Sequence, residues 1–259
     1  MKRYIFLIII LTAISPRFGF AQTAQQAAAA YANKNYPEAI ELYQQLSKEQ
    51  GVSSELYYNL GNAYYRNGDN GNAVLYYERS LRLNPRNKEA QANLDFLQTK
   101  LKDRFGTDEN ILSTWIREFR NLLSSNGWTI LGMVSFALFI LGVAAYFFGK
   151  AIGLRKVGFF GGAFFAFVCI AANIFAYNAR AAATDNSYAV VLSDSTMLST
   201  VSRAPVGRNE TAFVLHEGTK IKKLDSLRNV ENGDSSIWYR IRTSDRQEAW
   251  IDGKAIEEI

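Results

Sequence analysis

Hydrophobic positions fall along this 259-residue chain in three rhythms: unbroken runs, helical spacing and strand alternation. The unbroken runs are WTILGMVSFALFILGVAAYFFG (128–149) and VGFFGGAFFAFVCIAANIFAYN (157–178), neither with a charged side chain. About 20 apolar residues in a helix cross the hydrocarbon core of a bilayer, and both runs reach that length. Trp128, Tyr146 and Tyr177 lie near their ends, where amphipathic rings favour the headgroup level. The pattern predicts a transmembrane hairpin with helices at 128–149 and 157–178 and a loop at 150–156. A hairpin buried inside a soluble protein is the alternative. A shorter run, Tyr4–Ile14, follows Lys2 and Arg3 and precedes the small residues Gly19 and Ala21. That layout predicts a signal peptide over residues 1–21, with an uncleaved anchor as the alternative.

Helical spacing marks two further segments. In 88–105, Leu94, Leu97 and Leu101 share a face. In 106–127, Ile111, Leu112, Trp115, Ile116, Phe119, Leu122 and Leu123 share one, opposite Arg117, Glu118 and Arg120. The second pattern suits a helix lying in the membrane interface, or one packed on the helix before it. From 184 to 259 the character changes. YAVVLSD, TAFVLHEGTKIKKLD, SSIWYRIRT and QEAWIDGKAIEEI alternate apolar and polar residues between turn signals. They predict a small all-β domain of five or six strands. Trp238 and Ile241 are three apart and cannot share a face by strict alternation, so a bulge falls there or only one lies in the core. His216, the one histidine, is expected to pack or hydrogen-bond at a strand end.

Between the first two apolar runs the chain repeats. A shift of 34 residues aligns Ala27 with Gly61, Ala39 with Ala73, Ile40 with Val74 and Tyr43 with Tyr77. That period belongs to the tetratricopeptide (TPR) repeat, a helix–turn–helix unit that stacks on its neighbours. Residues 54–87 resemble this family at Tyr57, Leu60, Gly61, Tyr64, Gly68, Ala73, Tyr77 and Pro85. Gly61 and Ala73 are small where two helices cross; Asn67-Gly68-Asp69 supplies turn chemistry; Asn84-Pro85 ends the second helix. A degenerate copy at about 20–53 carries Thr23, Ala27 and Gly51 where the pattern has an aromatic, Gly and Pro. The α-helical solenoid thus runs over 22–105: two repeats and a capping helix. About three repeats are usually needed, so neighbouring contacts, a partner or dimerisation must supply the rest.

The TPR resemblance implies a concave face built from the first helix of each repeat. Its lining positions here are Tyr58, Asn59, Asn62, Tyr65 and Arg66, then Asn93, Phe96 and Lys100. Asn59 and Asn93 stand one period apart, as do Arg66 and Lys100. Paired amides suit a peptide backbone and paired cations suit a carboxylate; a merely solvated polar face is the alternative. The C-terminal segments resemble bacterial SH3 domains at Glu217-Gly218, Trp238, Ala249-Trp250-Ile251 and Ile256–Ile259. Trp238, Tyr239 and Trp250 then form either an aromatic ligand platform or part of the core.

Charge and composition narrow the function. The formal charge of +5 falls to +2 once residues 1–21 are removed, with 26 basic residues against 24 acidic. No basic patch remains to grip nucleic acid. Cys169 is the one cysteine and lies in an apolar run, and a lone His beside it cannot complete a zinc site of about four ligands. No nucleophile–base pair or phosphate loop stands out, so neither catalysis nor a cofactor is expected. Gly158, Gly162 and Ala166 form a small-residue row that suits packing of the two spans on each other, or dimerisation. Two spans return the chain to its starting side. Lys150, Arg155 and Lys156 in the loop are balanced by Arg117, Arg120 and Arg180, so the signal peptide sets the orientation, with the loop cytoplasmic and both flanking modules exported.

Signal peptide, TPR repeats, two-span hairpin and SH3-like domain together resemble the BatE-type proteins of the Bacteroides aerotolerance operon. That resemblance implies a non-enzymatic inner-membrane adaptor in envelope maintenance or stress tolerance. It implies protein partners, among them membrane proteins with von Willebrand factor A-type domains. The alternative is a cell-wall sensor that binds peptidoglycan through the SH3-like domain.

Overall fold

The computed structural model describes residues 17–103, 111–231 and 234–259. The expected signal peptide, up to position 16, lies outside them. The chain forms two compact units. One joins the helical repeats to residues 186–259, and the other holds residues 111–185.

In the first unit five helices follow one another: α1 (Arg17–Ala32), α2 (Tyr36–Gln50), α3 (Ser54–Asn67), α4 (Asn70–Leu83) and α5 (Lys88–Gln98). Local chemistry sets their ends. The Ser53 hydroxyl accepts the Leu56 N–H at 3.1 Å, Asp69 accepts that of Asn72 at 2.9 Å, and Asn87 accepts that of Ala90 at 3.0 Å. Each cap satisfies an N–H that the first helical turn leaves without a partner. Helices α1 to α3 pack around Ala27, Ala39, Ile40, Tyr43, Leu46, Leu56 and Leu60. A Cβ added at Gly61 would lie 2.6 Å from the Tyr77 ring, so the glycine is what lets α4 approach α3.

The capping helix is shorter than the expected 88–105. α5 stops at Gln98, and residues 99–103 leave the helix. The reason is tertiary: Leu101 is buried against the C-terminal sheet, and the Asp103 carboxylate accepts hydrogen bonds from it.

The C-terminal region is an antiparallel sheet of seven strands among the described residues, more than the five or six expected. They are β1 (Tyr188–Val191), β2 (Ser195–Ser199), β3 (Thr211–His216), β4 (Lys220–Glu231), β5 (Asp234–Arg242), β6 (Glu248–Asp252) and β7 (Ile256–Glu258). Their order is β3-β2-β6-β5-β4-β1-β7. Ala189, Val191, Leu198, Leu215, Ile221, Ile241 and Ile251 fill the core. The register slips on β4, between Lys223 and Asp225, opposite Arg240 and Ile241. The bulge therefore sits on the partner strand, and β5 keeps its alternation. Ile241 enters the core, while Trp238 is buried on the other face.

This sheet packs on the repeats. Val190 of β1 and Ile259 join one hydrophobic cluster with Val74, Leu75, Tyr77, Leu94, Leu97 and Leu101. A third full repeat would supply a second helix after α5; here the β1–β7 edge of the sheet covers α4.

The second unit contains α6 (Ile111–Arg120), α7 (Ser125–Phe148) and α8 (Ile152–Thr184). α7 and α8 form an antiparallel hairpin, and both are long and apolar enough to cross a membrane. The turn between them is residues 149–151, shorter than the expected loop at 150–156, because Ile152 already begins α8. α8 also extends beyond the expected 157–178 at both ends. The segment expected as one helix over 106–127 breaks after Arg120, and the Ser124 hydroxyl accepts the Gly127 N–H at 3.2 Å to open α7. The hairpin closes on glycine: a Cβ on Gly142 would lie 2.8 Å from Gly162 Cα, and one on Gly158 2.6 Å from Gly142 O. Phe119 of α6 lies 5.7 Å from the Trp128 ring and 5.1 Å from Phe175. Leu112, Trp115, Ile116 and Leu122 remain exposed.

Candidate protein-binding groove

α3 and α5 are first helices of successive units, and they bring most of the expected lining residues together. Asn62 is the hub. Its Oδ1 accepts the Tyr77 hydroxyl at 2.7 Å and Asn93 Nδ2 at 2.9 Å. The expected amide pair was Asn59 with Asn93; the residue that meets Asn93 is one helical turn further along, at Asn62. The Asn59 side chain is half-buried and, like the Asn62 Nδ2, makes no hydrogen bond to another described residue and stays accessible to solvent. Burial pushes the Tyr77 hydroxyl up, so it stays protonated and donates.

Beyond the amides, toward the C-terminal ends of the same helices, aromatic and cationic groups alternate. Lys100 Nζ donates to the Tyr65 hydroxyl at 2.8 Å and sits 4.4 Å from the Phe96 ring centroid. The Tyr65 and Phe96 rings meet edge to face at 6.2 Å. Arg66 lies near Tyr31 of α1. Tyr58 packs toward Tyr77, ring centroids 6.2 Å apart. All eight expected residues are half-buried or exposed, with Phe96, Arg66 and Lys100 open to solvent.

The second expected site, an aromatic platform on the sheet, does not form as a set. Tyr239 faces the core side, where it packs against the sheet's hydrophobic cluster. Trp238, its neighbour on β5, points to the opposite face and is buried, with Nε1 3.2 Å from Ser236 Oγ. Trp250 pairs in register with Arg240 and is half-buried. Strand alternation thus separates Tyr239 from both indoles.

His216 ends β3 and hydrogen-bonds there, as expected; sequence reasoning missed the partners of the whole β3–β4 turn, His216-Glu217-Gly218-Thr219-Lys220. Asp103 Oδ2 accepts the His216 N–H at 2.6 Å and the Thr219 hydroxyl at 2.7 Å, and its Oδ1 lies 2.8 Å from His216 Nδ1. Burial raises the Asp103 carboxyl, but the hydrogen bonds from His216 and Thr219 outweigh it and hold the group below the usual carboxylate value. Glu217 accepts the Gly71 N–H at 3.3 Å near the start of α4, and Lys220 pairs with Glu78 at 2.7 Å. Gly218 has φ +79°, and an added Cβ would meet Leu101 at 2.8 Å. The Glu217-Gly218 dipeptide was visible as a turn, but its partners lie more than 100 residues away in the chain. A cavity of about 390 Å³ lies beside this junction, lined by Arg79, Lys223, Tyr239, Gly253, Ile256, Glu257 and Glu258. Its cations are already taken: Arg79 pairs with Glu257 at 3.0 Å and Lys223 with Glu258.

The tetratricopeptide-repeat family model matches residues 25–88, from within α1 to the first residue of α5. No curated protein matches the chain. The helical region is therefore similar to TPR modules, whose stacked helices hold protein partners, and it carries the groove just described.

Proposed function

We propose that this chain is a non-enzymatic, membrane-held adaptor whose repeat groove captures an extended segment of a protein partner. The observation that carries this reading is the face on which α3 and α5 bring amide and aromatic–cation groups together, Asn62 bonded to Asn93 and Tyr65 to Lys100, with Asn59 half-buried on α3. Solvent-accessible amides suit a ligand that offers main-chain N–H and C=O groups. The exposed apolar surface of α7 and α8 supports two membrane spans. In this reading α6 lies at the membrane interface, its exposed Leu112, Trp115 and Ile116 toward lipid.

The order of repeats, apolar hairpin and a C-terminal sheet read as SH3-like supports a BatE-type assignment within a bacterial inner membrane. Both flanking modules are then exported, and membrane proteins with von Willebrand factor A-type domains are the first partners to look for. Peptidoglycan binding by the sheet is the weaker reading, because Trp238 is buried and Tyr239 faces away from Trp250.

A photo-crosslinking residue placed at Tyr58 in cells tests the adaptor reading. A discrete adduct with an exported or membrane protein is expected from position 58 and not from Glu41, exposed on the second helix of the first repeat. Equal labelling from both positions, or none from position 58, overturns it.

A further inference from the structure

Resting on the reading of α7 and α8 as membrane spans, we propose that a second copy of this chain pairs with α8 inside the bilayer, through the Asn173 carboxamide. The two uncharged runs hold two carboxamides, Asn173 and Asn178. Asn178 closes the run 157–178, and Asn173 stands five residues, or about 7 Å, deeper. Asn173 is exposed on α8, at the flank next to α7: a Cβ added at Gly132 would lie 3.1 Å from its Nδ2. That nitrogen donates to the Cys169 carbonyl at 2.9 Å and stands 3.7 Å from the Cys169 sulfur, a weak acceptor. The Asn173 Oδ1 accepts no hydrogen bond from another described residue. Water satisfies such an acceptor at a soluble surface, and lipid tails do not.

The chemistry of the group selects the partner. A carboxamide is its own complement, with donor and acceptor on one planar unit, so two copies exchange N–H···O bonds across a two-fold axis. Each Nδ2 then trades its weak sulfur contact for an oxygen. The flank permits the approach: Cys169 and Ala166 stand one and two turns before Asn173 on the same side, and both are small and half-buried. The opposite side of α8 exposes Phe160, Phe164 and Phe167, which suit lipid better than a close helix crossing. Gly158 and Gly162 are already taken up against Gly142 within the hairpin. The row that closes the hairpin is therefore not the one that joins two copies. Arg180, two turns after Asn173, lies outside the uncharged run, where water screens its charge from its counterpart.

The full chain in phosphatidylcholine vesicles provides the test. Cys169, the one cysteine, lies one turn from the proposed crossing, and copper-phenanthroline is expected to link it to its counterpart in a second copy. In C169A/F164C, which moves the thiol to the opposite side of α8, no such link is expected. Energy transfer between donor- and acceptor-labelled copies, followed on lipid dilution, reads the same dimer. Its apparent Kd should rise about three- to tenfold in N173L, as for the loss of a hydrogen bond between membrane helices, and stay unchanged in N178L. Resistance to alkaline carbonate extraction shows that each variant is inserted. An inserted wild type without energy transfer, transfer unchanged in N173L, an equal loss in N178L, or linkage at position 164 as efficient as at 169 overturns the inference and leaves the spans standing. Release of the wild type by carbonate overturns both.

Discussion

Gly61 carries the closest contact in the repeats. Helix interiors disfavour glycine by about 1 kcal/mol relative to alanine, so alanine there should help if nothing else intervened. The Tyr77 ring intervenes, 2.6 Å from where the methyl would sit. That ring cannot step aside: Tyr77 is 1% exposed, and its hydroxyl is held by Asn62. Overpacking of this kind costs about 1–3 kcal/mol, more than the helix gain. Gly61→Ala is therefore expected to lower the unfolding midpoint in a urea titration and to disturb Asn62, the hub of the groove. Ala27, the equivalent residue in the first repeat, is fully buried, which means α1 and α2 tolerate the methyl that α3 and α4 do not.

The element that completes the solenoid is a sheet. Two repeats and α5 leave the hydrophobic side of α4 open, and β1 with the C-terminal Ile259 closes it. The β3–β4 turn fastens the junction through Asp103, Glu217 and Lys220. This answers the shortage of repeats read from the sequence with a neighbouring contact. Asp103 makes the junction testable. A carboxyl held below its ordinary value in the fold stabilises that fold at and above the ordinary value, near 4. The contribution disappears as pH falls through the lowered value. Asp103→Asn should then lower stability at pH 7 by about 1–3 kcal/mol, and the gap between variant and wild type should close on acidification. A gap that stays constant to pH 2 would contradict the assignment.

At the scale of the molecule, the apolar hairpin is an insertion. The chain leaves the first unit near residue 103, forms α6 to α8, and returns at residue 186 to the same body. Two passes through lipid satisfy that connectivity and one does not, so the repeats and the sheet must share a side of any membrane the hairpin crosses. Protease added to spheroplasts is expected to cut both modules or neither, and, on the exported reading, both. Cleavage of one alone would break the single-body arrangement.

Periodic features were legible in the chain because they are local. The 34-residue repeat, the steric role of Gly61, the two uncharged runs and the alternation of the last 75 or so residues each follow from which residues sit one turn, one strand step or one repeat apart. The small row at Gly158 and Gly162 was legible too, and its plainer meaning holds: the two apolar helices touch there. Tertiary structure decided what depends on distant partners. It stopped α5 at Gln98, bonded Asn93 to Asn62, buried Trp238, and joined the sheet to the repeats. Periodicity names the face a residue occupies, but only packing against residues distant in the chain determines what that face meets.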